Sequence, residues 1–518
     1  MLRGTLAIVF LAMLMIVCPS FSVWRQDQFV IAAWYFPLTG DPAADSARME
    51  KMKDANFTTI AWGGHFDFFS TVDFIDTNRP ARASCVTGRT LAQMIAPKGS
   101  YRSPNEYWLG IAHTVGGIRL LVEDRTILGF DHANATCVDP VNNCRERLTN
   151  TAKVYACYSN YRDAMMGYFI GDEPAVSRSF GDSLNFLDNF LKKTEYLCVN
   201  DPDKLAWFNL RPYFGFKSWE QYKKDYVSKY IRHPYTSVVS FDYYPFFTSK
   251  SGPSNGYFDM NNPDGRCHYF RHLKLFADSV KGSNKEINFW GIGHSCDEYF
   301  PNGGHTFAYP ADTLLRYYAS SFLLYGAKGI IWYTYGLQDT TPSSKPGSCW
   351  SKAAPESDPA LYTALKNLNA EIKRMGPVFM KLSWQTTLHG ARIDPSSGEI
   401  NLDTLTPARA PFYGDAKSAL GAGHGKDSIA IGVFKDSSGL YYLVIMNKSV
   451  YFDKIKKTWR GLKNTPMITV AHNVLPRQFD KSSGSWKALR RTYNPKSNAT
   501  TFTVEVNPGD MQLVWLSP

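Results

Sequence analysis

The chain has 518 residues, of which 44% are hydrophobic, 15% aromatic and 20% charged, with a formal net charge of +11 and a pI of about 9.0. That length is more than one hydrophobic core usually organises, so two domains are expected. Lys and Arg are scattered, with no long basic run and no basic helix, which speaks against a nucleic-acid partner and leaves two readings of the charge, an acidic polymer as substrate or a soluble basic surface.

The chain opens on a leader. Arg3 precedes an apolar run from Leu6 to Val17, and Pro19, Ser20 and Ser22 follow. A basic start, an apolar stretch too short to span a bilayer and small residues at its end read as a secretory signal peptide over 1–22. A buried core helix or a short membrane anchor is the rival. No later stretch is apolar for long enough to cross a membrane, so a soluble chain is expected, extracellular or in the lumen of the secretory and endolysosomal route. Removing the leader removes Cys18 and leaves eight cysteines, at 85, 137, 144, 157, 198, 267, 296 and 349. An even number suits a disulfide-bonded secreted protein, and most of the eight are expected to pair. None forms a C-x-x-C pair, which argues against a zinc ribbon. Sequons at Asn56, Asn134, Asn447 and Asn498 fit the same route and predict a glycoprotein.

Eight short apolar runs follow, each ending in polar or aromatic residues: Val30–Pro37, Phe57–Gly64, Ile118–Glu123, Met165–Glu173, Leu205–Arg211, Val238–Pro245, Ile287–Ser295 and Gly329–Tyr335. Near-continuous apolar runs suit parallel strands buried on both faces. Segments between them keep helical spacing, as in Leu184, Leu187, Leu191 and Cys198, or Leu315, Tyr318, Phe322 and Tyr325 with Gly326 as cap. Leu361, Leu365, Leu368 and Ile372 continue the pattern, and Gly376-Pro377 is expected to stop that helix. This alternation predicts a (β/α)8 TIM barrel over 23–380. A doubly wound open sheet loses ground because no G-x-G-x-x-G follows the first strand. From about Thr386 short strand-like runs alternate with Asp-Ser-Ser-Gly, Lys-Ser-Ser-Gly and Asn-Pro-Gly-Asp turns, so 385–518 is expected to form a C-terminal antiparallel β-sandwich domain.

Barrels of this kind carry their chemistry at the C-terminal ends of the strands. The polar residues there are His65 and Asp67 after the second run, Glu123 and Asp124 after the third, and Asp172-Glu173-Pro174 after the fourth. Asn209 and Arg211, Asp242-Tyr243-Tyr244, His294 with Asp297 and Glu298, and Trp332-Tyr333 with Tyr335 complete the rim. A rim of carboxylates and aromatics suits sugar chemistry, in which one carboxyl group protonates the leaving oxygen and another attacks or activates water. No H-E-x-x-H, Walker A loop or G-x-S-x-G elbow is present.

Gly-Tyr-Phe-Ile-Gly-Asp-Glu-Pro at 167–174 resembles the fourth strand of the clan A glycoside hydrolases, and the barrel order with the Pro-Gly-Asp-Met-Gln-Leu-Val-Trp-Leu tail is similar to those enzymes and their accessory β-domains. The resemblance implies a hydrolase of O-glycosidic bonds in a β-linked glycan, retaining in mechanism. Glu173 would be its acid/base, Tyr243 and Tyr244 would stand near the nucleophile, and Trp332 would floor the sugar site. Two departures stand out: Asp172 replaces the usual Asn, and the seventh run ends in His294-Ser295 without the nucleophilic Glu. Glu298 and Asp242 are therefore the candidate nucleophiles. An Asp172/Asp242 pair would instead resemble the retaining α-glycosidases. His65, Asp172, Asn209, Tyr243, His294 and Trp332 are the expected sugar ligands, and no metal or organic cofactor is implied. Each has a plainer reading: Asp-Glu-Pro as a helix start, Glu298 as a loop acid, Asp242 as partner of Arg211, Trp332 as core. The rival function, motivated by the missing Glu, is a catalytically inactive barrel that binds carbohydrate.

Overall fold

A computed structural model describes residues 24–36, 39, 41–62, 104–122, 161–174, 187–213, 216–249, 257–258, 269–299, 305–307, 309–336, 353–389, 399–401, 429–453 and 458–518. Residues 1–23, His65, Asn134 and six of the eight cysteines beyond Cys18 lie outside the described residues. All eight apolar runs are strands: β1 Val30–Trp34, β2 Thr59–Trp62, β3 Arg119–Val122, β4 Met165–Asp172, β5 Leu205–Asn209, β6 Val238–Asp242, β7 Asn288–His294 and β8 Gly329–Tyr333. They pair in parallel around one sheet, and a bridge between Leu210 and Phe241 joins β5 to β6, which closes the barrel.

Helices pack outside it. Described ones are α1 Pro42–Asp54, α2 Pro104–Val115, α3 Leu187–Asn200, α4 Ser228–Arg232, α5 Tyr269–Lys281, α6 Asp312–Leu324 and α7 Pro359–Phe379. The expected cap of α6 has a Schellman geometry. Gly326 takes φ +83°, its N–H reaches Leu323 O, and the Ala327 N–H reaches Phe322 O. The expected stop of α7 at Gly376-Pro377 is corrected, since the helix runs on to Phe379 with Pro377 inside it. In the last turn a missing N–H costs only one bond, and Met380 N still reaches Gly376 O at 2.9 Å.

Two layers of apolar side chains result. Val30, Ala32 and Trp34, Met166 and Phe169, Leu205 and Trp207, Trp290 and Ile292, and Ile331 fill the barrel interior. The alternate residues face the helices.

The C-terminal part is a sandwich. Its six-stranded antiparallel sheet has the order Ser383–His389, Ile429–Lys435, Tyr441–Asn447, Met511–Ser517, Leu475–Asp480, Ser485–Ala488. A four-stranded sheet contains Glu399–Asn401, Met467–Ala471, Ala499–Thr503 and Arg491–Asn494, with one parallel pairing, that of the first two. Ile431, Leu443 and Ile445 meet Ile468, Val470 and Phe502 between the sheets. The other face of the larger sheet, through Phe434, Val444, Met446 and Leu513, continues the core of the barrel's helical layer.

Of the sequons, Asn447 is fully buried and its Nδ2 donates to Leu462 O and Val506 O, so in the folded chain it is a structural amide. Cys198, on α3, is a buried free thiol, and burial pushes it up to about 12.

Candidate active site

The pleat decides which rim residues look into the barrel. On β5 Leu205 and Trp207 point inward, so Asn209 does too; on β6 the inward series is Val238, Ser240, Asp242; on β7 it is Trp290, Ile292, His294. On β4 the register shifts between Phe169 and Gly171, which brings Asp172 level with Asn209. Gly171 takes φ +152°, and a Cβ there would stand 2.4 Å from the Phe190 ring. Glu173 follows with φ +44°, unusual for a residue with a side chain, its N–H bonded to Asn209 O at 3.0 Å.

Three carboxyl groups meet here. Asn209 is buried, and its Nδ2 donates to Asp172 Oδ1 at 3.1 Å and to Asp242 Oδ1 at 2.8 Å. Acceptors at those distances from one nitrogen lie no more than about 5.9 Å apart, which admits the 5–5.5 Å of a retaining pair. Glu173 shares a side-chain hydrogen bond with Asp242, and its Oε2 lies 3.9 Å from Arg211 Nε. Arg211 is held through its backbone by two buried tyrosines of the π-helical segment Tyr222–Val227: its N–H donates to the Tyr226 hydroxyl at 2.9 Å, and the Tyr222 hydroxyl donates to its carbonyl at 2.9 Å.

The electrostatics follow from this crowding. Burial lifts the Glu173 carboxyl well above the usual range; the charges of Asp242 and Asp172 add to this, and Arg211 offsets part of it. Asp172 is pushed up to about 7, first by burial and then by Asp242, against the Asn209 amide. Asp172 nevertheless keeps an exposed face at the mouth. Asp242 is raised too, by burial, but the hydrogen bonds from Asn209 and Glu173 favour its charged form. The shared hydrogen bond therefore runs from a protonated Glu173 to an ionised Asp242. Two carboxyl groups pushed apart in this way are the signature of an acid and a base.

The opposite side of the mouth is aromatic. Tyr244 lies against Tyr333 at 5.4 Å and against His294 at 5.2 Å, while Trp34 touches Tyr333 at 6.3 Å and Trp62 at 5.7 Å. Trp62, Tyr244 and Tyr333 are half-buried. Burial holds His294 neutral, its pKa pushed down to about 3.

Among the residues expected from sequence, Asp172, Glu173, Asn209 and Asp242 are joined at the mouth, and His294 stands there among the aromatic rings. Trp332 is corrected. It is fully buried on the helix side of β8, and its indole N–H donates to Asn369 Oδ1 of α7 at 2.9 Å. Tyr243 is corrected for the same reason of parity: it faces outward against Tyr269 and His272, and Tyr244 turns in. Glu298 begins the short strand Glu298–Tyr299, paired with His305–Phe307, and its side chain lies outside the described residues, as does His65. Sequence reasoning did not single out Trp207 or Ser240, although counting back by twos from Asn209 and Asp242 reaches them. Asp297, by contrast, bonds the Ala353 N–H at 2.7 Å.

Fold and site together define a (β/α)8 barrel with a carboxyl cluster at the C-terminal ends of its strands. No family model matches the chain, and no curated protein matches it. Among solved structures it is similar to the catalytic domain of the GH30 xylanase C from Talaromyces cellulolyticus, at 10% identity over 96% of this chain and 98% of that one, TM-score 0.39. It is also similar to a GH27 β-L-arabinopyranosidase from Geobacillus stearothermophilus (8% identity, 95% and 96% covered, TM-score 0.45) and to the GH51 arabinofuranosidase from Xanthomonas axonopodis pv. citri (8%, 92% and 89%, TM-score 0.38). Among the described residues no helix is long and apolar enough to cross a membrane.

Proposed function

We propose that the chain is a secreted glycoside hydrolase that cleaves O-glycosidic bonds of a β-linked glycan by a retaining, two-carboxylate mechanism. The observation that carries this reading is the cluster of Asp172, Glu173 and Asp242, which holds a proton at neutral pH and faces an aromatic wall. A sugar ring between the two walls would lay its apolar face on Tyr333, Tyr244 and Trp62 and turn its glycosidic oxygen to the carboxyl side. Glu173 carries the proton for the leaving oxygen. Asp242, ionised beside it, is the carboxylate that attacks the anomeric carbon once the entering sugar has parted the two carboxyl groups to the retaining separation, and in the second half Glu173 takes a proton from water.

A second reading is favoured by the Asn209 bridge. Asp172 and Asp242 are the pair within reach of the retaining separation, whereas Glu173 touches Asp242 directly. In that reading Asp172 attacks in its ionised form, the leaving oxygen takes a proton from Asp242 as Glu173 passes its own to Asp242, and in the second half Asp242 takes a proton from water and returns it to Glu173.

Purified protein on a panel of α- and β-linked aryl glycosides and polysaccharides tests both. If Glu173 is the acid, Glu173→Gln loses about 10²–10⁴ in rate on poor leaving groups, much less on good ones, and azide partly restores turnover. If Asp242 is the acid, Asp242→Asn shows that pattern and Asp172→Asn fails on every substrate. A wild-type protein that binds sugars and hydrolyses none would leave the inactive carbohydrate-binding barrel. Recovery of the chain from the culture medium of a eukaryotic host, starting after Ser22, tests secretion.

A further inference from the structure

Below the carboxyl cluster, inside the barrel, runs a chain of hydrogen bonds that catalysis by carboxylates does not itself require. The Trp207 indole N–H donates to Ser240 Oγ at 3.1 Å, the Ser240 hydroxyl donates to Asn209 Oδ1 at 2.9 Å, and Asn209 Nδ2 donates to both aspartates. Trp207, Ser240 and Asn209 are all fully buried, so bulk solvent does not reach them.

The direction of this chain is fixed by chemistry at its lower end. An indole N–H can only donate. It takes one of the two lone pairs of Ser240 Oγ, and the single hydroxyl proton, which needs an acceptor in a buried site, goes to the other partner. That partner must accept, so it is the Asn209 carbonyl oxygen. Both amide hydrogens are thereby turned upward. The flipped amide would point a carbonyl oxygen at two carboxylates and donate its N–H to the remaining Ser240 lone pair, so that the serine proton loses its acceptor in a buried interior.

We propose that Trp207 and Ser240 are positioning residues, which hold the Asn209 amide in the one orientation that presents both its N–H groups to Asp172 and Asp242. Their role is to keep the two aspartates at a fixed separation and to favour their charged forms, against the burial that favours protonation. Its consequence for turnover rests on the proposed glycosidase reading; the orientation itself does not.

The test is therefore a titration. Protein labelled with ¹³C at the aspartate side-chain carboxyl is followed by NMR against pH, with Asp172→Asn and Asp242→Asn assigning the two resonances. In Ser240→Ala the Asn209 carbonyl loses its donor and the amide is free to turn, so both aspartates should titrate higher, by about one pH unit. Trp207→Phe keeps an aromatic ring and removes only the donor that sets the direction, so it should shift them the same way, by less. A protein without hydrolase activity leaves this measurement intact. Unchanged titration in the folded variants would overturn the proposal, and so would loss of folding in both, which would make the chain a core element instead of a positioning device.

Discussion

Gly171 and Glu173 show how much of the site depends on single backbone positions. The register shift after Phe169 has to be absorbed within two residues, and the chain does so at φ +152°, then at φ +44°. Gly171→Ala would press a methyl group onto the Phe190 ring and strain the backbone at once. A loss of about 1–3 kcal/mol is expected from overpacking alone, read as a lower Tm. Adding Phe190→Ala should return little of it if backbone strain dominates, and much of it if the clash does. The neighbouring carboxyls make a second expectation. Burial and the charge of Asp242 push Asp172 up from 3.8 to about 7 in the folded chain, so between those values the folded state holds a proton the unfolded state has released. Its contribution to stability is therefore greatest at low pH and falls as pH rises from about 4 to about 7. Asp172→Asn should melt higher than wild type at pH 8, with the difference shrinking at pH 4. A difference that grows toward acid would refute the assignment of the raised group. These residue types were legible in the sequence because polar side chains ending apolar runs are conspicuous. The bulge that aims Asp172 inward was not, since a register shift needs a partner strand to be defined.

Strands buried on both faces hide their own parity. In β8 the residues Gly-Ile-Ile-Trp-Tyr carry no alternation that says which side is inner, so Trp332 and Tyr333 were interchangeable from sequence. The same holds for Tyr243 and Tyr244 beyond β6. Strand existence was legible in all eight cases because each run is short, apolar and bounded; facing was legible only where a polar residue interrupted the run, as at Asn209 and Asp242. The element-scale prediction separates the two aromatic neighbours. Trp332→Phe removes the indole N–H that holds Asn369, whose own Nδ2 donates to Ala55 O at 3.0 Å, and thereby loosens the contact of α7 with β8. A stability cost of about 1–3 kcal/mol is expected, with KM unchanged. Tyr333→Ala should behave in the opposite way, raising KM for glycosides more than it lowers Tm. A KM effect at Trp332 equal to that at Tyr333 would restore Trp332 to the sugar site.

At the scale of the whole molecule the question is whether barrel and sandwich are separate cooperative units. Interfaces between domains are commonly polar and modest, which permits independent unfolding. Here the six-stranded sheet lays Phe434, Met446 and Leu513 into the same apolar cluster as Leu324 and Phe379 of the barrel's helices. The approach is close enough that a Cβ on Gly432 would stand 2.5 Å from Leu324 O, and one on Gly326 2.8 Å from the Trp384 Cβ. Around that seam, Arg316 of α6 grips Glu371 of α7 with two bonds of 2.8 and 2.9 Å, and Lys481 of the sandwich meets Asp510 at 2.5 Å beside them. The Lys328 ammonium donates to the carbonyls of Phe379 and Leu382, where α7 passes into the first strand of the sandwich. Neither part presents a finished surface without the other. One calorimetric transition is therefore expected for the intact chain, with calorimetric and van't Hoff enthalpies in agreement. A chain ending at 382 should expose the apolar faces of α6 and α7 and aggregate instead of folding to a soluble barrel. The substitution Gly432→Val should lower the single transition as a whole. Two resolved transitions, or a soluble and fully active 23–382 fragment, would show that the sandwich is an appendage and that the seam contributes little to the barrel.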